Sequence, residues 1–234
     1  MTSRSPEREL ETSFERLAAT VSAEVGIAIA RPGRTLSLGR WSTGVAWSTI
    51  KVPLAVAALR SDPSGAYDLV VKAITESDNP AAERLWSRLG EPADAARQVR
   101  AVIAAAGDTA TVVESRRLRH GYTAFGQTRW PLGRQARFAA RLSQLGEAGP
   151  VIDLMHRLTA HQRWGLAAKG FAAKGGWGPG VGEENYLARQ FGIVPTETGP
   201  LGVALAAEAR DFEAAVEALD ATTDWLVDHA LTEQ

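Results

Sequence analysis

The chain has 234 residues, of which 45% are hydrophobic and 23% are charged, and its formal net charge is -1. A chain of this length can bury a sizeable core as one large domain. The balanced charge gives no indication of nucleic acid or an anionic membrane surface as a partner. The longest apolar stretches, around 52–59 and 201–207, are shorter than a helix that spans a bilayer.

Cysteine is absent, which excludes disulfides, thiol catalysis and cysteine-based metal sites. The four histidines show no metal-ligand spacing, so the sequence predicts neither a metal site nor a cofactor. Residues 1–9 are polar and charged and lack the apolar core of a signal peptide, so we expect a cytoplasmic protein. A chain from which an export signal had been removed would read identically, and would then be exported. Nothing in the composition predicts an oligomeric state.

The first part of the chain predicts a helix followed by a β-hairpin. Ser5 and Pro6 suit the N-cap and the first position of a helix, and an apolar stripe continues to about Ala23. Two strand-like runs follow, 25–30 and 35–38, with a Pro-Gly turn between them.

The middle of the chain predicts helices separated by loops rich in Gly, Pro and Asp. Asn79 followed by Pro80 suits the N-cap and first position of one of these helices. The segment from Val112 to Trp130 has no sustained period and is predicted to be a long functional loop. The predicted helices are 48–60, 69–76, 81–89, 92–106, 132–145 and 150–158.

After Trp164 the pattern changes to strands, and two early and three late strands suggest one five-stranded antiparallel sheet. The sequence thus predicts an α+β fold in which N- and C-terminal helices flank the sheet and an all-helical subdomain is inserted. We expect a single domain over 1–234, with a sheet subdomain (about 1–46 and 165–234), a helical subdomain (about 47–164) and a site in the cleft between them. The late elements are strands 172–174, 186–193 and 201–207, a turn at 177–180, and a closing helix over 212–231.

Ser48 and Lys51 lie three positions apart at the start of a predicted helix. One helical turn would place them on the same face and bring Ser48 Oγ and Lys51 Nζ within hydrogen-bond reach. A serine beside an amine that can act as its base is a candidate nucleophile. The alternative is that Ser48 caps the helix and Lys51 lies on the surface.

Three segments occur in a distinctive order: Ser48-Thr49-Ile50-Lys51, then Ser77-Asp78-Asn79, then Lys174-Gly175-Gly176. This set resembles the S-x-x-K, S-D-N and K-T-G motifs of the penicillin-recognising serine hydrolases, which include the class A β-lactamases and penicillin-binding proteins. The resemblance extends over nearly the whole chain. It implies a β-lactamase/transpeptidase-like fold and a serine hydrolase that needs no metal or cofactor.

The resemblance also implies a role for each motif residue. Ser48 would be the acylated nucleophile and Lys51, its pKa lowered by burial beside a second cation, the general base. Ser77 would relay a proton to the leaving nitrogen, and Asn79 would hold Lys51 and the substrate amide. Lys174 would supply positive potential toward Ser77 and toward an acidic group of the substrate.

Backbone groups complete the site that the resemblance implies. The oxyanion hole would consist of the backbone N–H groups of Ser48 and Trp177. Gly175 and Gly176 would contact the substrate from the third motif. Lys169, in Ala-Lys-Gly, is an alternative third-motif lysine, but the Gly-Gly and turn that follow Lys174 favour Lys174.

Two features depart from the family pattern. Gly175 replaces the hydroxyl residue of K-T-G, which in the family binds the carboxylate shared by penicillins and peptidoglycan stem peptides. The glutamate that activates the deacylating water in class A enzymes has no clear counterpart. Glu114 lies at about the right interval and is a candidate deacylation base; the alternative is a surface glutamate paired with nearby arginines.

The sequence therefore predicts a serine hydrolase that forms an acyl-enzyme on Ser48 with an amide or ester, of the β-lactam, D-Ala-peptide or ester type. Its partner would be a small-molecule or peptide acyl donor, with no nucleic acid and no membrane segment involved. Weak turnover of β-lactams is expected. The alternative is a non-catalytic or very slowly deacylating member of the fold that binds such a ligand.

Overall fold

A computed structural model describes residues 6–180 and 185–230. Five strands form one antiparallel sheet, as the sequence predicts. Their order is β2-β1-β5-β4-β3, so that β2 and β3 are its edges. The strands are β1 (Glu24–Arg31), β2 (Arg34–Gly39), β3 (Ala172–Pro179), β4 (Tyr186–Val194) and β5 (Leu201–Ala209).

Eight α-helices accompany the sheet within the described ranges, so the predicted α+β class is confirmed. The helices are α1 (Pro6–Ala18), α2 (Lys51–Ser61), α3 (Tyr67–Thr75), α4 (Asn79–Arg88), α5 (Pro92–Ala105), α6 (Leu132–Arg141), α7 (Ala148–Met155) and α8 (Phe212–Trp225). Short 3₁₀ turns are formed by Trp47–Ile50, Phe125–Gln127, Leu142–Gln144, Ala160–Gln162 and Gly165–Lys169, and a π-helical turn, Leu226–Ala230, follows α8.

The two faces of the central strands β1 and β5 carry side chains of different size. Successive side chains of a strand point to opposite faces, so both faces of β1 and β5 are buried when helices cover both. The larger residues of β1 and β5 face the core that α1 and α8 cover, as Ile27 and Leu205 do. The alanines between them, such as Ala28 and Ala204, face the core that α6 covers. Small side chains on this second face let α6 approach the sheet closely.

The helical part is built around α2, in which Lys51–Leu59 are all buried. Helices α3, α4, α5 and α7 pack around it. Helix α6 instead packs on β1 and β5, although it belongs by sequence to the predicted helical subdomain. The subdomain boundaries at residues 47 and 164 remain a prediction. Within the described ranges, none of the helices combines the length and the apolar character that crossing a membrane requires.

Several predicted boundaries are wrong. Helix α1 ends at Ala18 rather than Ala23, because the chain turns there into β1. Strand β3 continues through the predicted turn as far as Pro179, because β4 pairs with it over its full length. The closing helix is α-helical only to Trp225. The predicted cap Ser5 and the predicted end of the last helix, Leu231, lie outside the described residues.

Candidate active site

Ser48 lies in the 3₁₀ turn Trp47–Ile50, which continues directly into α2. Its side chain caps neither helical segment, because the cap positions are Ala46 and Ile50 and neither N-terminus has a side-chain cap. The alternative interpretation of Ser48 as a helix cap is therefore wrong. Trp47 has a φ of 48°, a conformation that is rare for a bulky residue and that is tolerated where the surroundings enforce it.

Lys51 is almost completely buried, with only 1% of the residue exposed. Its Nζ donates to the carbonyl oxygen of Ser77, to Asn79 Oδ1 at 2.8 Å and to Ser77 Oγ at 3.3 Å. Burial lowers the pKa of Lys51 to about 7, against the smaller opposing effect of the Asp78 charge. The predicted hydrogen bond between Ser48 Oγ and Lys51 Nζ is absent, because all the hydrogen bonds of the amine go to the Ser77–Asn79 segment.

In the Ser77–Asn79 segment, Ser77 and Asn79 contact Lys51, and Asp78 caps the following helix. Ser77 has a φ of 58°, which turns both of its oxygens toward Lys51. Asp78, and not Asn79 as predicted, is the N-cap of α4, and its Oδ1 accepts from the backbone N–H of Ala81 at 2.5 Å. The Asn79 amide oxygen is thereby left to bind Lys51.

Lys174 is completely buried and contacts the same serine from the other side. Its Nζ donates to Ser77 Oγ at 3.0 Å, to Gln162 Oε1 at 2.9 Å and to Gly175 O at 3.0 Å. Burial, with a further contribution from the charge of Lys51, holds the pKa of Lys174 well below its usual value. The two amines and the hydroxyl between them form a continuous polar chain from α2 to β3.

Lys169, the alternative third-motif lysine, belongs elsewhere. It pairs with Asp224 at 2.6 Å, and 42% of its side chain is exposed. That charge partner raises the pKa of Lys169, the opposite of what a general base requires.

The free edge of β3 faces the Ser48 turn. Gly180 N donates to Asn185 O at 2.8 Å, and antiparallel pairs alternate, so even-numbered β3 residues bond β4 and odd-numbered ones point their backbone groups outward. The carbonyl of Gly175 follows this rule, since it accepts from Lys174. The N–H of Trp177 lies on the same free edge, which suits the predicted oxyanion hole.

Gly175 and Gly176 are both in tight contact, but on opposite faces of β3. A Cβ at Gly176 would lie 2.7 Å from the backbone nitrogen of Ser48, so only glycine lets the strand approach the Ser48 turn this closely. A Cβ at Gly175 would lie 2.6 Å from the indole ring of Trp164. The indole therefore occupies the space that a threonine at this position would need. The direct contact of Gly175 and Gly176 with substrate remains a prediction.

A cavity of about 290 Å³ opens at Ser48. Aromatic residues dominate its walls, and no lining residue that the structure describes carries a charge. The lining residues are Trp47, Ser48, Asn79, Tyr122, Thr123, Trp177, Gly178, Pro179 and Tyr186. A larger cavity of about 670 Å³ lies beside α1 and β1, but its described lining has no hydroxyl, amine or imidazole group.

Glu114 does not line the Ser48 cavity. Its Oε1 accepts from the backbone nitrogens of Ser115 and Arg116 at 3.1 and 2.8 Å and from Arg116 Nε at 3.2 Å. The hydrogen bond from the Arg116 side chain lowers the pKa of Glu114. This geometry is that of the alternative interpretation, a glutamate paired with nearby arginine, and gives no support to a role in deacylation.

A second set of buried groups fixes the turn that carries Ser48. Arg189, on β4, donates through its guanidinium to Gly44 O, Val45 O, Trp130 O and Gln135 Oε1 at 2.8–3.1 Å. The same glutamine donates to Thr49 Oγ1 at 2.9 Å. The Ser48 turn is thus anchored to the sheet and to α6.

Neither Gln162 nor the Arg189 network was predicted from the sequence. Gln162 lies on a short 3₁₀ turn with no periodic signal. Arg189 interrupts an apolar strand, and an unpaired charge in such a run is the one sequence signal that could have indicated a buried role. Among the described residues, no group of three or more potential ligands is arranged to hold a metal ion.

The architecture of this protein can be compared with that of known proteins. No family model matches the sequence, and no curated protein matches it. Solved structures match over nearly the whole chain, and the chain has the fold of the class A β-lactamases.

Three of these structures indicate the extent of the likeness. A class A β-lactamase from Bacteroides cellulosilyticus has 15% identity and a TM-score of 0.79, covering 98% of this chain and 100% of that one. A β-lactamase from Streptosporangium roseum has 14% identity and a TM-score of 0.72, covering 97% and 100%. The TLA-3 extended-spectrum β-lactamase has 14% identity and a TM-score of 0.71, covering 94% and 99%. At these identities the likeness shows the fold, and the chemistry depends on the residues.

Proposed function

We propose that this protein is a serine hydrolase that forms a covalent acyl-enzyme on Ser48 with an amide or ester donor. The observation that carries the proposal is the state of Lys51. The residue is 1% exposed and lies one helical turn from Ser48, and burial brings its pKa to about 7. A lysine with this pKa is half neutral at neutral pH and can accept a proton, which an ordinary surface lysine does not do.

The hydrogen-bond inventory of Lys51 supports its role as a base. The Ser77 carbonyl and Asn79 Oδ1 can only accept, so they orient two N–H bonds of the neutral amine. The lone pair is then left for a hydroxyl proton. We propose that Ser48 offers that proton once substrate is bound, since catalytic hydrogen bonds are often long in apo structures and tighten only in the complex.

The net result of the proposed acylation is that the Ser48 proton passes to the leaving group through Lys51 and Ser77, and that the bond from the acyl carbon to the leaving group is replaced by a bond to Ser48 Oγ. Lys51 Nζ takes the proton of Ser48 Oγ as this oxygen attacks the carbonyl carbon of the donor. The backbone N–H groups of Ser48 and Trp177 stabilise the oxyanion. Collapse of the tetrahedral intermediate breaks the bond to the leaving group, which receives a proton from Ser77 Oγ. The Lys51 ammonium reprotonates Ser77, and Lys174 holds the hydroxyl in place throughout.

Hydrolysis of the acyl-enzyme should be slow. None of the described residues that line the Ser48 cavity is a carboxylate, and Glu114 is held by Arg116 away from it. Among the described residues, Lys51 is then the group left to activate water. We therefore expect acylation to exceed deacylation in rate.

Burst kinetics with nitrophenyl esters test this proposal. The intact protein should release about one equivalent of nitrophenol rapidly and then turn over slowly, because the acyl-enzyme accumulates. Ser48→Ala should lose both phases while keeping its thermal unfolding transition. A folded wild-type protein with no Ser48-dependent burst, turnover or adduct with esters or a fluorescent penicillin would falsify the proposal.

A binding module with the same fold is the second candidate. Gly175, which lacks the hydroxyl of the family motif, and the absence of a carboxylate from the described cavity lining favour it. This candidate predicts reversible, saturable binding of an acyl donor with no covalent adduct. Time-resolved intact mass distinguishes the two, since only the hydrolase gains the mass of the acyl group.

A further inference from the structure

The substrate class of the Ser48 cavity can be inferred from its walls. Four of the lining residues are aromatic: Trp47, Tyr122, Trp177 and Tyr186. Trp47 and Tyr122 are in ring contact, with centroids 5.0 Å apart. Tyr122 is 37% exposed, so much of its ring surface is available to a ligand. Aromatic walls offer flat apolar area and favour ligands with a ring of their own.

Two groups of the third motif that could have bound a carboxylate, the side chain at position 175 and the Lys174 ammonium, are not free to do so. Trp164 fills the space beside Gly175, so there is no hydroxyl at that position and no room for one without rearrangement. Every hydrogen of a Lys174 ammonium already has an oxygen partner, in Ser77, Gln162 and Gly175. The ammonium therefore has no free donor for a ligand.

Two arginines donate to backbone oxygens of residues that line the cavity, Arg117 and Arg119. Arg117 donates to Tyr122 O at 3.2 Å and is paired with Glu83 at 2.8 Å, so its charge already has a carboxylate partner. Arg119 is exposed and lies beside the cavity, where it donates at 3.4 and 3.3 Å to Pro179 O and Gly180 O. It is not part of the described lining. Both contacts use the terminal guanidinium nitrogens of Arg119. A carboxylate would have to displace these backbone oxygens in order to bind this side chain.

From these observations we infer that the Ser48 site selects neutral acyl donors with an aromatic acyl group and discriminates against donors that carry a carboxylate. The inference rests on the proposed acyl-enzyme function and specifies its substrate class. It separates this chain from donors such as penicillins, whose carboxylate would enter a cavity with no charged group in its described lining and would lose its hydration there.

Three matched nitrophenyl esters provide the test: the phenylacetate, the 4-carboxyphenylacetate and the cyclohexylacetate. Values of kcat/KM, each divided by the rate of hydroxide hydrolysis, should rank the phenylacetate first. We expect it to exceed the carboxylated ester by about tenfold or more, the scale at which an unpaired polar group is rejected. It should exceed the cyclohexyl ester by a smaller factor.

A matched pair of tyrosine variants tests the aromatic wall. Tyr122→Leu should reduce the phenyl-to-cyclohexyl preference several-fold. Tyr67→Leu is the control, since Tyr67 is similarly exposed at 40% and does not line the cavity. Equal loss of preference in both variants, or no loss in Tyr122→Leu, would contradict the role of the aromatic wall.

Two outcomes overturn the inference, and one separates it from the proposed function. Faster reaction of the carboxylated ester, with that advantage lost in Arg119→Gln, would show that Arg119 binds a carboxylate. Equal rates for all three esters would show no selection. If no ester reacts, the anilides of the same acids can be titrated against Ser48→Ala by tryptophan fluorescence. Tighter binding of the neutral aromatic anilide would then sustain the inference while the hydrolase proposal fails.

Discussion

The Lys51 amine lies among oxygens that arrive from one short segment, Ser77–Asn79, and its charge has no direct carboxylate partner. Burial therefore outweighs the opposing effect of the Asp78 charge, and the pKa falls to about 7. This is the residue-scale basis of the proposed chemistry. A surface lysine such as Lys169, with Asp224 beside it, has its pKa shifted in the opposite direction.

The rate of Ser48 acylation should follow the neutral fraction of Lys51. With a pKa of about 7, we expect the rate to rise about tenfold between pH 6 and pH 8 and then to level off. The burst rate with a neutral nitrophenyl ester, corrected for hydroxide, measures it. Lys169→Met should leave the profile unchanged. A burst rate that is flat over this range would exclude Lys51 as the base.

Asp78 offers two variants that separate stability from chemistry. Asp78→Ala removes the α4 cap and should lower the free energy of unfolding by about 1 kcal/mol. Asp78→Asn keeps a good cap but removes the charge that raises the Lys51 pKa. The midpoint of its acylation profile should therefore move to lower pH. An unchanged midpoint would show that the Asp78 charge does not reach Lys51.

At the scale of elements, the approach of α6 to the sheet depends on Gly202 of β5. A Cβ there would lie 2.0 Å from Ala136 O and 2.3 Å from Ala140 N, both backbone atoms of α6. Because backbone atoms cannot rotate aside, Gly202→Ala should displace α6 and lower the free energy of unfolding by about 2–3 kcal/mol or more. Urea unfolding measures it.

Gly149 in α7 is the matched control for that substitution. Nothing lies within 4 Å of the position of its Cβ, so Gly149→Ala should be neutral or slightly stabilising. Equal effects of the two substitutions would show that α6 does not rest on the glycine of β5.

Sequence patterns predicted the elements better than their contacts. The alternation and turn signals around β1, β2, β4 and β5 place those strands within one or two residues of their observed ends. The end of β3 was missed because Trp177-Gly178-Pro179 has the composition of a turn, and only pairing with β4 makes it a strand. Local composition does not report that pairing.

The candidate site shows the same division between local and tertiary information. Lys51, Ser77 and Lys174 lie in one hydrogen-bonded chain, and the elements that carry them are encoded locally, whereas the expected hydrogen bond between Ser48 and Lys51 is absent. The exchange of roles between Asp78 and Asn79 was missed, since either residue can cap a helix. The filling of the space at Gly175 by Trp164 depends on a contact between distant segments and has no local signal.

At the scale of the whole molecule, two lysines, Lys51 and Lys174, have lowered pKa values in the folded protein. Above pH 7 the unfolded chain keeps the Lys51 proton, up to its ordinary pKa of 10.5, while the folded protein has largely released it. The unfolded state thus binds more protons, and stability must rise with pH in this window. Below pH 7 both states are protonated, and this group no longer changes stability with pH.

The free energy of unfolding should accordingly increase by about 2 kcal/mol between pH 7 and pH 9, the range in which Lys51 alone contributes nearly one proton. Urea unfolding at the two pH values measures it. Lys51→Met should reduce the increase, and Lys169→Met should preserve it. A wild-type protein that loses stability over this range would contradict the lowered pKa values.

The central claim is that Ser48 becomes acylated with Lys51 as its base, and a mapped covalent adduct tests it most directly. The protein is exposed briefly to a neutral aryl ester, quenched in acid, digested, and analysed by peptide mass. We predict one acyl group per molecule, located on Ser48, absent in Ser48→Ala and much slower to form in a folded Lys51→Met variant. An adduct on any other residue, or unmodified Ser48 in folded protein after exposure to a series of ester and amide donors, would contradict the account.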